Sequence, residues 1–307
     1  MRSLLRLTIV LATLDACSHA PPTSAPPTAP SPPTSPAVPS EIVVSLAGGG
    51  NALWWDAASA TLYLTDSNAS ALVAWTEAGG LAPVATVPAG TAGVSLGGVV
   101  RRADGTTIVA NFGFGTQGGL FAIAADHTVT ALTGLEPTRR RVGLAQEGGV
   151  LYSAYFVGDR GKSAIGGVAT VAITGGAARE TEIAGASTSA GFGKIVGVVA
   201  TPGAVFVADQ TQKTIWKLAL PGFAVSKLAD VPGADLLAVL PDGDLLTGGG
   251  PVISRITQAG VVSTVPGAGF EQVRGLAYDP AGQRLFIIDH SLTPGSPDQL
   301  RIRHLAR

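Results

Sequence analysis

Six copies of one unit recur along the chain at a spacing of about 45 residues. Each is a short apolar strand, a glycine turn and a second strand running back. No long stretch holds the 3.6-residue period of an amphipathic helix. These two observations predict an all-β fold, a six-bladed β-propeller in which each unit seeds one four-stranded blade. A third observation predicts how the ring closes: the last unit offers only three strands, and a lone strand at about 42–47 stands ahead of the first.

The units follow in order. NALWWDAASATLYLTD (51–66) opens the series, then GGVVRRADGTTIVAN (97–111) and VGLAQEGGVLYS (142–153). VGVVATPGAVFVAD (196–209), DLLAVLPDGDLLT (235–247) and RGLAYDPAGQRLFIID (274–289) complete it. The turns are of the DPAG, PDG and ADG kind, where glycine supplies the backbone freedom a tight reversal needs. Third strands follow at LVAW (72–75), GLFAI (119–123) and TIWKL (214–218), and weaker fourth strands as at PVATV (83–87). The final strand is LRIRHL (300–305). The strand EIVVSL (41–46) then serves as the outer edge of the last blade, tying both ends of the chain into one sheet.

Residues 1–40 are of another kind. Arg2 and Arg6 flank an apolar run that reaches Ala16-Cys17, the pattern of a secretory signal and too short to span a bilayer. The single cysteine falls where cleavage is expected, so LDAC (14–17) resembles a bacterial lipoprotein box with Cys17 lipidated. Nine of the 21 prolines lie in residues 21–39. Polyproline II at about 3.1 Å per residue makes this a spacer of roughly 70 Å. The expected organisation is a signal peptide at 1–16, a lipidated Cys17 and proline-rich tether at 17–40, and the propeller at 41–307. The expected location is outside the cytoplasm, lipid-anchored to the bacterial cell envelope, with the outer membrane favoured by the Ser after the cysteine. One cysteine excludes an internal disulfide framework or a cysteine zinc cluster. A formal net charge of -1 with 13% charged residues excludes a nucleic-acid surface.

With NALWWDAASATLYLTD, VVRRADGTTIVANFGFG (99–115) and GLAYDPAGQRLFIID (275–289), the chain resembles the calcium-dependent-phosphotriesterase-like propellers. That group contains the senescence-marker-protein, gluconolactonase and luciferin-regenerating-enzyme family and shares its strand pattern with NHL-type repeats. The resemblance spans residues 41–307. It implies a divalent cation such as calcium in the central channel, held by residues at the starts of inner strands, which polarises a lactone or ester carbonyl. On this chain the metal-ligand slots fall on Asn51, where the family has Glu, and on Asp235. The remaining slots fall on Gly97 or Leu96 and on Val196, which carry no ligand. Arg274 points to the same end of the channel, and a fixed cation there opposes a metal.

Other candidates lie on the same face. The second strands end in Asp66, Asn111, Asp209 and Asp289, either as Asx turns or as a ring of acceptors. Recurrence in nearly every blade favours turns, since an active site is asymmetric. Asp289-His290-Ser291 spells a triad without the geometry of one, but His290 is placed to act as a lone general base. Arg139, Arg140 and Arg141 read as a loop, from which Arg141 meets an anionic ligand together with Lys194 and Arg274. The insertions at 112–118, 157–164 and 291–298 reach this face. Trp54, Trp55, Trp75 and Trp216 read as wedges between blades, and His127 and His304 as surface residues.

Two functions stay open from the sequence. One is a hydrolase of a sugar lactone or carboxylic ester, metal-assisted, with Asp235 and His290 as catalytic candidates and Asn51, Arg141, Lys194 and Arg274 holding the ligand. The other is a non-catalytic propeller that binds a small molecule or an envelope protein and touches the membrane only through its lipid anchor.

Overall fold

Runs rich in Val, Ile and Leu, four to ten residues long and broken by glycine turns, bury both faces between neighbouring sheets. The computed structural model describes residues 41–88, 95–113, 117–158, 164–188, 190–267 and 269–305. The signal, Cys17 and the proline-rich tether lie outside the described residues.

The ring begins with a lone strand, β1 (Glu41–Ser45). The first blade is β2 (Gly50–Asp56), β3 (Thr61–Asp66), β4 (Ala71–Thr76) and β5 (Gly80–Thr86). The second is β6 (Leu96–Arg101), β7 (Thr107–Asn111), β8 (Gly119–Ile123) and β9 (Val129–Ala131). The third, with the longest strands, is β10 (Arg140–Glu147), β11 (Val150–Val157), β12 (Ile165–Thr174) and β13 (Ala177–Ala184). The fourth is β14 (Ile195–Thr201), β15 (Ala204–Asp209), β16 (Thr214–Ala219) and β17 (Ala224–Asp230). The fifth is β18 (Leu237–Val239), β19 (Leu245–Thr247), β20 (Ser254–Ile256) and β21 (Val262–Thr264). The sixth is β22 (Val273–Asp279), β23 (Arg284–Asp289) and β24 (Gln299–His304), completed by β1. Every sheet is antiparallel, and the described residues contain no α-helix.

The closure occurs as the sequence predicts, with a shift in its bounds. β1 pairs with β24 from Glu41 opposite Arg303 to Ser45 opposite Gln299, so the strand starts at 41 and ends at 45. The extension to Glu41 is electrostatic. Its carboxylate takes both arms of Arg301 at 2.7 Å and the Nε of Arg303 at 2.5 Å. The end at Ser45 follows because the Leu46 amide turns to the Asp298 carbonyl. Arg301 also reaches Asp289 at 3.0 Å and lies 4.6 Å from the Phe270 ring centre. The first and last strands of the ring are thus joined by a ladder and a fork of charge-assisted hydrogen bonds. β1 enters at the face remote from the starts of the inner strands and runs toward them.

Aromatic wedges fill the seam between the last and first blades. Trp55 stacks on Phe286 at 5.1 Å between ring centres, and Trp75 meets the same ring edge-on at 5.7 Å. Phe192 and Trp216 pack in the fourth blade. Trp75 is core, and Trp54, Trp55 and Trp216 are half-buried and pack against it or its neighbouring clusters.

At the axis the inner strands approach until side chains no longer fit. A Cβ on Gly98 would lie 2.3 Å from the Leu144 nitrogen, one on Gly143 2.7 Å from the Val196 carbonyl oxygen, and one on Gly197 2.4 Å from that of Asp235. Gly275 meets the Asn51 carbonyl in the same way at 2.5 Å. Gly98 and Gly143 of this ring line a cavity of about 30 Å³ together with Leu53, Leu144, Leu236, Leu237 and Leu276, room for little more than a water.

Candidate functional site

Inner strands carry a register shift near their starts in five blades, between Gly50 and Leu53, Leu96 and Val99, Arg141 and Gly143, Ile195 and Gly197, and Val273 and Leu276. A bulge re-aims the residue it displaces. The displaced positions are Asn51, Gly97, Val142, Val196 and Arg274, with Asp235 in the corresponding place two residues ahead of β18. The three polar members come from consecutive blades, the fifth, sixth and first. The other three are small or apolar. The mouth is therefore polar on one half and bare on the other.

The acids at the second-strand ends hold this rim rather than a ligand. Asp66 accepts from Gly49 N ahead of its inner strand and from Asn68 N and Ala69 N in the turn beyond. Asp209 does the same with Gly193, Thr211 and Gln212, and Asp289 accepts from Glu271 and Gln272. Asn111 turns its loop through Gly113 and Gln117. One carboxylate thus pins the loop entering a blade and the turn leaving its second strand.

Asp235 is the carboxylate in the ring. One oxygen accepts from the Leu236 amide at 3.0 Å, and the other faces Gln210 Nε2 at 3.5 Å. Gln210 in turn accepts from Lys194 Nζ at 2.6 Å. Burial pushes the Asp235 carboxyl up to about 6, against the pull of Arg274, the Leu236 amide and Lys194. Desolvation outweighs two cations, so the group titrates just below neutrality. Among the described residues Arg274 forms no ion pair, yet its charge acts on Asp235. Asn51 donates Nδ2 to the Leu96 carbonyl at 2.6 Å, bridging the first and second blades.

The cationic side continues past Lys194. Its Nζ lies 5.3 Å from the Phe156 ring centre, and Arg140 lies 5.7 Å from the same ring and 5.8 Å from Phe112. Arg140, Phe156, Lys194, Gln210, Asp235 and Arg274 therefore form one connected arc across four blades.

The structure corrects the reading of Arg141. Arg139–Arg141 is not a free loop at the mouth, because β10 begins at Arg140. Arg141 is fully buried and forks onto Glu180 at 2.8 and 2.7 Å, with a third arm to the carbonyls of Glu136 and Arg139. Arg139 bridges Glu180 and Glu182 and covers the Tyr155 ring at 4.1 Å. The Tyr155 hydroxyl donates to Glu182, and burial raises its pKa. Residues two apart in a strand share a side, so Arg139 and Arg141 turn to the glutamates and Arg140 turns away from them. Arg140 lies instead against Phe112 and Phe156.

His290 has a partner that the sequence does not suggest. Its Nδ1 lies 2.8 Å from Asp298 Oδ1, which also accepts from the Ser291 amide. The other Asp298 oxygen is buried with no hydrogen-bond partner. Among the described residues no hydrogen bond links His290 to Asp235 or Arg274. His127 and His304 are exposed, as expected.

A calcium site does not fit these residues. Calcium takes six to eight oxygen ligands with several carboxylates. Here Asp235 is the single carboxylate of the ring, and two cations act on it. The described residues contain no group of three His, Cys, Asp or Glu side chains placed to hold a metal.

No family model matches the chain, and no curated protein does. Solved structures do. The chain is similar to a luciferin-regenerating enzyme at 14% identity, covering 87% of this chain and 96% of that one, with a TM-score of 0.68. It is similar to a gluconolactonase from Xanthomonas campestris at 17% identity, covering 89% and 98%, with a TM-score of 0.66. A calcium-binding protein, regucalcin from Agrobacterium tumefaciens, matches at 14% identity over 85% and 93%, with a TM-score of 0.63. The fold is that of the gluconolactonase-like six-bladed propellers.

Proposed function

We propose that the chain is an exported propeller that opens a lactone or carboxylic ester at the channel mouth, with Asp235 as general base. The observation that carries this reading is a carboxyl held at about 6 beside two cations at the rim of the ring. A base of that strength is largely ionised at neutral pH and still able to take a proton. The likeness in fold to a gluconolactonase supports the substrate class.

The chemistry needs no group that the site cannot supply. Asp235 takes a proton from water as the water oxygen bonds to the carbonyl carbon. The carbonyl electron pair moves to its oxygen, where the Arg274 charge stabilises it. Collapse breaks the bond to the ring or ester oxygen, which leaves with the proton returned by Asp235. Lys194 and Gln210 orient the carboxylate, and Asn51 fixes the rim beside Arg274. The donor set does not support the metal-assisted version, and calcium is not part of this proposal.

The N-terminal signal, lipid anchor at Cys17 and tether complete the proposal: the domain works at the cell envelope, with the outer membrane favoured. The chain enters β1 at the face remote from the mouth, which suits an open mouth. A non-catalytic binding role is the second reading, favoured by channel positions that carry Gly97 and Val196 where a metal would need ligands. A pH-stat assay of residues 41–307 on glucono-δ-lactone and on phenyl acetate decides between them. Turnover above the spontaneous rate that falls about 100-fold or more in Asp235→Asn supports the hydrolase. No turnover on either class leaves the binding role.

A further inference from the structure

The second-strand end of the sixth blade differs from the others by one side chain. Asp289 pins the entering loop there as Asp66 and Asp209 do in their blades. The residue after it is His290, where those blades carry Ser67 and Gln210. Its Nδ1 lies 2.8 Å from Asp298 Oδ1, and the Ser291 amide donates to the same oxygen. Glu271 fastens Ser291 and Leu292 beyond, so the loop holds the ring in place. Asp298 is buried and its second oxygen has no hydrogen-bond partner, whereas the imidazole is 29% exposed. An ionised carboxylate only accepts, so Nδ1 carries the shared proton and Nε2 is the nitrogen open to a reactant. A short backbone path joins this dyad to Asp235. His290 N donates to the Gln272 carbonyl, next to Val273 and Arg274. Val273 exchanges hydrogen bonds with Gly249 and Gly250 of the fifth blade, at 2.7 and 2.9 Å. A Cβ on Gly249 would stand 3.2 Å from the Asp235 Cβ, and one on Gly250 would meet nothing within 4 Å. The link from Asp235 to the sixth blade therefore runs through glycines, with open space beside Gly250.

We propose that the proton taken up by Asp235 returns to the leaving oxygen through His290, with Asp298 as the residue that positions the ring. The inference rests on the hydrolase reading and divides its two proton transfers between two groups. Asp235 removes a proton from water as the water oxygen bonds to the carbonyl carbon. On collapse, the electron pair on the carbonyl oxygen re-forms the double bond. The electrons of the breaking carbon–oxygen bond pass to the leaving oxygen, which takes the Nε2 proton of the imidazolium. The ring is left neutral, with its Nδ1 proton still on Asp298. Solvent carries the Asp235 proton back to Nε2, and both groups are reset. The need for such a donor depends on the leaving group. The alkoxide of a lactone or alkyl ester is a strong base and departs only with a proton. Phenoxide, a base like the tyrosine side chain, departs without one. The dyad therefore assigns the site to lactones and alkyl esters rather than to aryl esters.

The test compares glucono-δ-lactone with phenyl acetate in a pH-stat, using the full chain and its variants. Asp235→Asn is expected to lose turnover of both substrates alike. His290→Gln is expected to lose about 100-fold in kcat on the lactone and less than about threefold on phenyl acetate. Asp298→Asn is expected to show the same selectivity at about tenfold, as a residue that acts through the ring. Added imidazole is expected to restore lactone turnover in His290→Ala and to leave phenyl acetate turnover unchanged, a rescue that a merely structural histidine does not permit. Asp298 is buried, so the two His290 variants carry the test if Asp298→Asn does not fold. Equal losses on the two substrates in His290→Gln, or no loss on the lactone, overturn His290 as the donor and leave Asp235 as the base. A parent chain that turns over neither substrate retires the hydrolase and the donor together.

Discussion

The flank of the third blade and the channel mouth both gather charge, and they handle it in opposite ways. On the flank, Arg139 and Arg141 meet Glu180 and Glu182 at 2.7 to 3.3 Å, and the Tyr155 hydroxyl completes the set. Each buried charge there has its complement. At the mouth, burial shifts the Asp235 carboxyl upward against the pull of Arg274 and Lys194. Paired charge fixes the blade. Charge set by burial instead leaves Asp235 poised to take or release a proton. Neighbouring residues in one strand also differ: Arg141 forks onto Glu180, and Arg140 lies against Phe112 and Phe156.

The comparison breaks most readily at the flank. Arg141→Leu removes the buried fork on Glu180, leaving Arg139 as its cation, and is expected to cost about 3 kcal/mol in chemical denaturation. Arg274→Gln at the mouth is expected to stay within about 1 kcal/mol. If the two cost the same, flank and mouth do not differ in the way described.

The closing blade gives an intermediate case, because its charges are paired but partly open to water. Glu41→Gln is expected to cost about 1–2 kcal/mol through the lost fork from Arg301 and Arg303. Burial works against the Glu41 charge, yet hydrogen bonds from the two arginines hold its pKa below the usual carboxylate range. Its contribution is therefore present above about pH 4.5 and lost as pH falls through the folded value. A set of melting curves from pH 7 to pH 3 reads this directly.

The smallest effect has the opposite sign. The folded Asp235 carboxyl sits at about 6, above its unfolded value, so the native state holds its proton longer. Stability from this group is greatest below about pH 4 and declines as pH rises through 6. Asp235→Asn is expected to raise stability at pH 7.5 by about 1 kcal/mol, a few degrees in Tm, with the gain vanishing below about pH 4. A variant less stable than the parent at pH 7.5 would make Asp235 structural, like Glu41. In the parent, turnover is expected to fall through a midpoint near pH 6 as Asp235 takes up a proton.

The ring of blades was legible because its signal repeats. Glycine turns at a steady spacing and the unpaired strand before Asn51 define six sheets and their closure. Asn51, Asp235 and Arg274 were legible for the same reason, as equivalent positions in three units. Arg140 was not. A bulge after Arg141 hides the alternation that separates it from its neighbours, and the partners that claim Arg139 and Arg141 lie some 40 residues away on β13. Gln210 and Phe156 belong to no motif and enter the site only through contacts between blades. Asp298 finds His290 because an eight-residue loop folds back, and no local pattern announces that.

The glycine ring sets the gauge of the bore. Bare backbones in contact at Gly98, Gly143, Gly197 and Gly275 hold four of the inner strands at a fixed separation, and Ala52 and Leu236 stand at the equivalent places of the other two blades. Descendants of this chain with new ligands would therefore be sorted by substitutions at the rim and in the loops above it. The bore beneath would pass unchanged from one to the next, like the threaded collar on which different fittings are screwed.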